Sequence, residues 1–224
     1  MIRRTTLREQ LADALREEIL AGRLEPNEEL TVREIAEQYG VSATPVREAL
    51  LDLSAQGLLV VAQHRGFRIR RFSLTDFRHM VEARTLVGEG VLRRGPGLEL
   101  PGGAPQAFTS IRRRAGIARQ AARAGELDIL IGYDLRFWRE LTALLGNPYI
   151  GDFLDRLRIQ CWAFAVPRLR READLRGRLW HGYLELTDAV ERQDAADAGQ
   201  LLSGLRVHAL QLATELVDGE PENP

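Results

Sequence analysis

The chain has 224 residues, with 31 basic against 32 acidic side chains and a formal net charge of −1, which suits one large or two modest domains and excludes a polyelectrolyte that holds nucleic acid or membrane through bulk charge. It has no lysine and one cysteine, Cys161; a lone thiol excludes an intrachain disulfide and a multi-cysteine metal site and fits a reducing compartment. The N-terminus, "MIRRTTLREQLADAL", lacks the apolar run of a signal peptide, and no later run approaches membrane-spanning length, so the expectation is a cytoplasmic protein without membrane contact.

Residues 6–21, "TLREQLADALREEILA", place Leu7, Leu11, Leu15 and Ile19 four apart, which predicts an amphipathic helix ended by Gly22. "RLEPNEEL" reads as a loop. In "TVREIAEQYG", Thr31 and Glu34 stand at capping-box spacing, Ile35 and Ala36 face inward, and Gly40 closes a second helix. A third opens in "VSATPVREAL": Ser42 or Thr44 can cap it, and Pro45 is tolerated in a first turn. Val46, Ala49, Leu50 and Leu53 form its buried stripe, with a stop near Gln56 and Gly57. Ser42, Thr44 and Arg47 lie off that stripe. A polar, cationic helix start suits a phosphate or a base edge, and it also suits an ordinary capped surface helix.

The period then changes. Leu58 to Val61 and Phe67 with Ile69 are β-prone, and His64, Arg65 and Gly66 make a turn between them, so a β-hairpin is expected. Three helices and a hairpin in residues 1–72 make a small domain. Its second and third helices meet across the turn at Gly40, with the small Ala36 where they come close, which is the helix-turn-helix pattern with a wing behind it.

From residue 73 the chain reads as helical. Ser73 and Asp76 open "SLTDFRHMVEARTLVGEGVL", residues 94–105 are a Gly/Pro loop, and further helices are expected at 106–124, 126–145, 149–166, 170–192 and 194–217. Gly146, Asn147 and Pro148 mark one junction and Pro167 another. The mixed-charge run "RLRREADLRGR" reads as a solvated helix face. The fold class is therefore mostly α: a winged helix-turn-helix in 1–72, an all-helical bundle in 73–217, and a disordered tail in 218–224. Catalytic signatures are missing: there is no Gly-rich phosphate loop, no G-x-S-x-G, no H-E-x-x-H and no Cys/His/Asp set. The expectation is a protein that is not an enzyme and carries no cofactor.

The ordered set "ILAGRLEP", "REIAEQYGVS", "TPVREAL" and "GLL" ahead of an "RG" turn resembles the winged helix-turn-helix of GntR-family bacterial transcription regulators, over residues 7–70. The helical half resembles the FadR-type branch of that family: "YDLRFWRELTALLGNPYI" and "YLELTDAVERQDAADA" are similar to segments of its effector-binding domain. The resemblance implies DNA contacts by Arg33, Ser42, Thr44 and Arg47, with Gln63, His64, Arg65 and Gly66 of the wing near the minor groove. Arginine reads guanine or holds phosphate, the hydroxyls suit phosphate, and Gly66 permits a positive φ or a close backbone approach. Relatives often place arginine where this chain has Ala43, which removes a guanine contact. The alternative for Arg33 and Arg47 is surface pairing with Glu37 or Glu48.

Many FadR-type domains hold a divalent metal on one Asp and three His. The resemblance puts the Asp at Asp134 but the His positions at Trp138, Tyr183 and Leu205; His181 and His208 lie nearby but out of register. The expectation is a metal-independent effector pocket lined by Asp134, Trp138 and Tyr183, with Arg84 as partner for the carboxylate. A partial metal site from Asp134 and His208 is the alternative. As a whole the sequence reads as a homodimeric, sequence-specific DNA-binding regulator, a repressor controlled by a small-molecule effector. The competing reading is an adaptor whose helical half serves assembly alone. An internal pocket with polar groups favours the regulator, and a solidly packed bundle favours the adaptor.

Overall fold

Two reciprocal caps set the start of the chain's first helices. The Thr6 hydroxyl accepts from the Glu9 amide at 3.2 Å while the Glu9 carboxylate accepts from the Thr6 amide at 2.8 Å, and Thr31 with Glu34 repeats the arrangement. The computed structural model describes residues 6–62, 66–92 and 104–219, and the chain divides into two compact units, Met1–Phe72 and Ser73–Pro224.

The first unit runs α1 (Leu7–Leu20), β1 (Glu29–Leu30), α2 (Val32–Tyr39), α3 (Ala43–Ala55), β2 (Leu59–Ala62) and β3 (Gly66–Ile69). Gly40 ends α2 in the left-handed conformation, at φ 64°. The apolar stripes meet in one core: Leu15, Ile19, Ile35, Val46, Leu50, Leu53 and Leu58 are all buried. The segment expected to be a loop before α2 contains β1. Glu29 pairs with Arg68 and Leu30 with Phe67, antiparallel, so the hairpin is a three-stranded sheet in the order β1-β3-β2. The buried Leu30 side chain drives this pairing, because a two-residue strand has no periodicity of its own. The wing turn, Gln63 to Arg65, lies outside the described residues.

The second unit comprises α4 (Leu74–Leu92), α5 (Ala104–Ala124), α6 (Leu127–Ala143), α7 (Pro148–Leu169), α8 (Tyr183–Glu191) and α9 (Ala195–Asp218). α5 packs against α6 and α8, and α4 against α9 and α7. Buried Ala115, Ala118, Ala121 and Ala122 let the α5 contacts run close. No described helix is long and apolar enough to cross a membrane.

Three expectations for this unit are corrected. Pro167 sits inside the last turn of α7 rather than at a junction. Residues 170–182 are irregular rather than helical: Asp174 accepts from the Arg176 amide at 2.9 Å, Gly177 stands at φ 73°, and Leu175 and Leu179 are buried. Side-chain-to-backbone turns and a left-handed glycine outcompete helix there. Asp218, expected in the tail, ends α9. The Gly/Pro loop expected at 94–105 and the tail beyond 219 fall largely outside the described residues.

Candidate functional site

In the first unit, Ser42 is the N-cap of α3, with extended backbone at φ −74° and ψ 160°, yet its hydroxyl makes no cap hydrogen bond. Ser42 and Thr44 are both exposed. The first amides of the helix thus lack a side-chain acceptor, which is the arrangement that receives a phosphate. Arg47, one turn on, is exposed and forms no ion pair or hydrogen bond among the described residues. Arg33 on α2 is also exposed but is held by Glu37, Nε to Oε1 at 2.8 Å. Arg33, Arg47, Ala36, Gly40 and Ala43 line one shallow depression between α2 and α3, so the fold brings the two arginines to a common face. Gly66 has φ 94°, and a Cβ there would stand 2.7 Å from the Leu30 carbonyl oxygen; strand pairing with β1 demands the glycine. Gln63, His64 and Arg65 lie outside the described residues.

In the second unit, α6, α7 and α8 converge on one carboxylate. Asp134 is 2% exposed. Its Oδ1 accepts from Trp138 Nε1 at 3.0 Å, from the Tyr183 hydroxyl at 2.9 Å and from Arg158 Nη1 at 3.1 Å. Its Oδ2 accepts from Trp162 Nε1 at 2.7 Å and from Arg158 Nη1 at 3.2 Å. A buried charge requires such partners. The Arg158 guanidinium also lies over the Trp138 ring, 3.9 Å from its centroid. Burial, with the nearby Arg84 charge, pulls Arg158 down to about 10 against the opposing pull of Asp134. Burial first and the Asp134 charge second hold the Tyr183 hydroxyl well above the usual phenol range.

The structure thus brings Asp134, Trp138 and Tyr183 together, and it corrects the partner: Arg158, not Arg84, pairs with Asp134. Arg158 and Trp162 were missed. Their signal was an i,i+4 pair on the next helix, with the same spacing as Asp134 and Trp138. Arg84 on α4 instead donates to the Cys161 sulfur at 3.6 Å.

This donor set does not fit a divalent metal. Four side chains donate to the two Asp134 oxygens, and a cation arriving there meets the Arg158 guanidinium. Leu205 offers no donor, and the described residues contain no group of three or more His, Cys, Asp or Glu able to hold an ion.

A cavity of about 300 Å³ adjoins this centre, lined by residues of α4, α6, α7, α8 and α9, with Arg84, Asp134, Arg158, Cys161, Tyr183 and His208 among its polar groups. His208 Nε2 is buried without a hydrogen-bond partner among the described residues. Burial, with a smaller contribution from His181, lowers the His208 imidazole from its ordinary value, against a backbone hydrogen bond at Arg178 and the charge of Glu215.

Residues 7–69 match the family model for bacterial regulatory proteins of the gntR family, and residues 100–206 match the FCD domain. The chain is 41% identical over 91 residues to the "Probable D-xylose utilization operon transcriptional repressor" of Paenarthrobacter nicotinovorans, a match spanning 41% of this chain and 40% of that protein's length. It is 26% identical over 201 residues to the HTH-type transcriptional repressor GlaR of Escherichia coli K12, covering 84% of this chain and 87% of the relative. Among solved structures, E. coli McbR/YncC superposes with a TM-score of 0.76 at 22% identity, covering 96% of this chain and 99% of that one, a likeness of fold. A GntR-type winged helix-turn-helix followed by an FCD domain is the FadR-type architecture, and the chain belongs to the GntR family of bacterial regulators.

Proposed function

We propose that the chain is a DNA-binding transcription regulator that represses by occupying its operator and is controlled by a small molecule held in its helical unit. The observation that carries this is an exposed Arg47, without a partner among the described residues, beside a helix start whose N-cap Ser42 makes no side-chain cap hydrogen bond, on a unit whose apolar stripes form its own core. Arg33, Ser42, Thr44 and Arg47 contact the major groove, and the wing, Gln63 to Gly66, contacts the minor groove. A winged unit spans one half-site, so two copies pair through residues 73–217 on a two-fold symmetric operator. The chain acts by binding rather than turnover, in the cytoplasm.

The cavity of about 300 Å³ beside Asp134 favours effector control over a helical half that serves assembly alone, since its size and polar groups suit a small molecule. Arg84, Asp134, Trp138 and Tyr183 border the effector. The test is selection of bound duplexes from a random pool with the full-length chain, together with sedimentation of that chain. Enrichment of a two-fold symmetric site and a dimer at micromolar concentration are expected. An unenriched pool overturns the DNA reading, and a clean monomer overturns the pairing.

A further inference from the structure

One face of α3 sets a cation between two hydrocarbon groups. Ala43, Arg47 and Leu51 stand four apart on the helix and so share that face. All three are exposed, Leu51 by 49%. The other exposed side chains of α3 are Thr44, Glu48 and Ala55. Glu48 stands about 100° round the helix from Arg47, and its carboxylate repels phosphate, so the face that enters a groove is the one with Ala43, Arg47 and Leu51. Ala43 and Arg47 also line the depression shared with Arg33 of α2, which roots the stripe at the start of the helix. From Ala43 to Leu51 it runs about 12 Å, or roughly three to four base-pair steps. An apolar side chain in the major groove selects by exclusion. Adenine, guanine and cytosine present hydrogen-bonding groups there, and a methyl or isobutyl group laid on any of them strips water without replacing its bonds. Thymine adds a C5-methyl, which such a side chain covers with a gain. Arg47, between the two, has the planar fork that matches guanine O6 and N7.

We propose that α3 reads each half-site as a guanine between thymines: Arg47 donates to the guanine, and Ala43 and Leu51 cover one thymine methyl on each side of it. One helical turn separates neighbouring members of the stripe, so each thymine lies within about two base pairs of the guanine, on either strand. Ala43 and Leu51 are thus specificity-determining residues that discriminate by shape and dryness alone, since neither has a donor or an acceptor to offer. This assignment deepens the DNA reading above and rests on it.

The experiment takes the best duplex selected by the full-length chain and remakes it with uracil in place of each thymine in turn, which deletes one methyl and leaves every pairing edge as it was. Affinity should fall about fourfold at each thymine flanking the guanine, the worth of one buried methyl group, and hold at thymines outside the half-sites. Ala43→Gly should erase the loss on one side of the guanine and Leu51→Ala should reduce it on the other, with the melting temperature of the chain unchanged. Uracil bound as tightly as thymine at every flanking position overturns the proposal on the unaltered chain, whether or not a variant folds. A uracil penalty that persists in full when Ala43→Gly and Leu51→Ala are combined assigns the methyls to other residues and overturns it as well. An enriched two-fold site with no thymine near the guanine overturns this proposal and leaves the DNA reading standing, whereas an unenriched pool overturns both.

Discussion

The Arg158 guanidinium bridges both oxygens of Asp134, at 3.1 and 3.2 Å, and ties α7 to α6 through a pair in which both side chains are under a tenth exposed. Removing one member strands the other. Asp134→Ala should therefore cost about 3–5 kcal/mol in urea unfolding, the range for breaking a buried ion pair. Asp134→Leu combined with Arg158→Met should recover most of that loss. A double variant no more stable than Asp134→Ala would show that the other donors, not the pair, hold the site.

Arg47→Ala should weaken binding to the selected operator by about 1–3 kcal/mol, or roughly fivefold to 150-fold, without moving the melting temperature. The side chain is exposed and touches no partner among the described residues, so its loss removes nothing from the fold. Equal operator affinity in a gel-shift titration would remove Arg47 from the interface.

Glu37→Gln should raise operator affinity severalfold at low salt. Arg33 is held by Glu37 at 2.8 Å with both side chains well exposed, and such a pair adds little to stability. The substitution frees the guanidinium and removes a charge that repels phosphate. Unchanged affinity would mean that Arg33 faces away from DNA.

Gly66→Ala should destabilise the first unit by roughly 1–3 kcal/mol, the scale for a strained backbone position, and loosen the wing. Its φ is 94°, and the new Cβ would press on the Leu30 carbonyl at 2.7 Å. Circular dichroism should show an earlier unfolding transition; an unshifted one would mean that β1 yields without cost.

Acidification should cost stability through His208. Its folded-state value lies below the ordinary imidazole value because of burial. The unfolded chain therefore binds more protons below about pH 6.5, and stability falls as pH drops through that value toward the folded one. His208→Leu should flatten the change in melting temperature between pH 7.5 and 5.5. A slope identical to that of the unaltered chain would assign the loss to the carboxylates.

Local chemistry made the first unit legible. Thr31 with Glu34, Gly40 and the Val46–Leu53 stripe each act within a few residues, and the structure uses them as read. What escaped depends on distant partners. β1 exists because Gly66–Ile69 lies beside it, and 170–182 is irregular because Leu175 packs against the backbone turn at Gly125 while Asp174 turns the chain on itself. Within the candidate site Asp134, Trp138 and Tyr183 were legible through the family resemblance, which aligns them with the positions of a metal-binding set. Arg158 was one arginine among many, and its pairing across 24 residues is fixed by how α6 packs on α7.

The carboxylate centre has an optical consequence. The chain has three tryptophans. Trp138 and Trp162 donate directly to Asp134, and the Trp180 ring lies 4.7 Å from Tyr183, which donates to the same oxygen pair. Every indole fluorophore therefore sits in the helical unit, and the first unit has none. Intrinsic emission follows the melting of the helical unit and the filling of its cavity, while far-ultraviolet ellipticity sums both units, so a difference between the two traces isolates the first unit without any label.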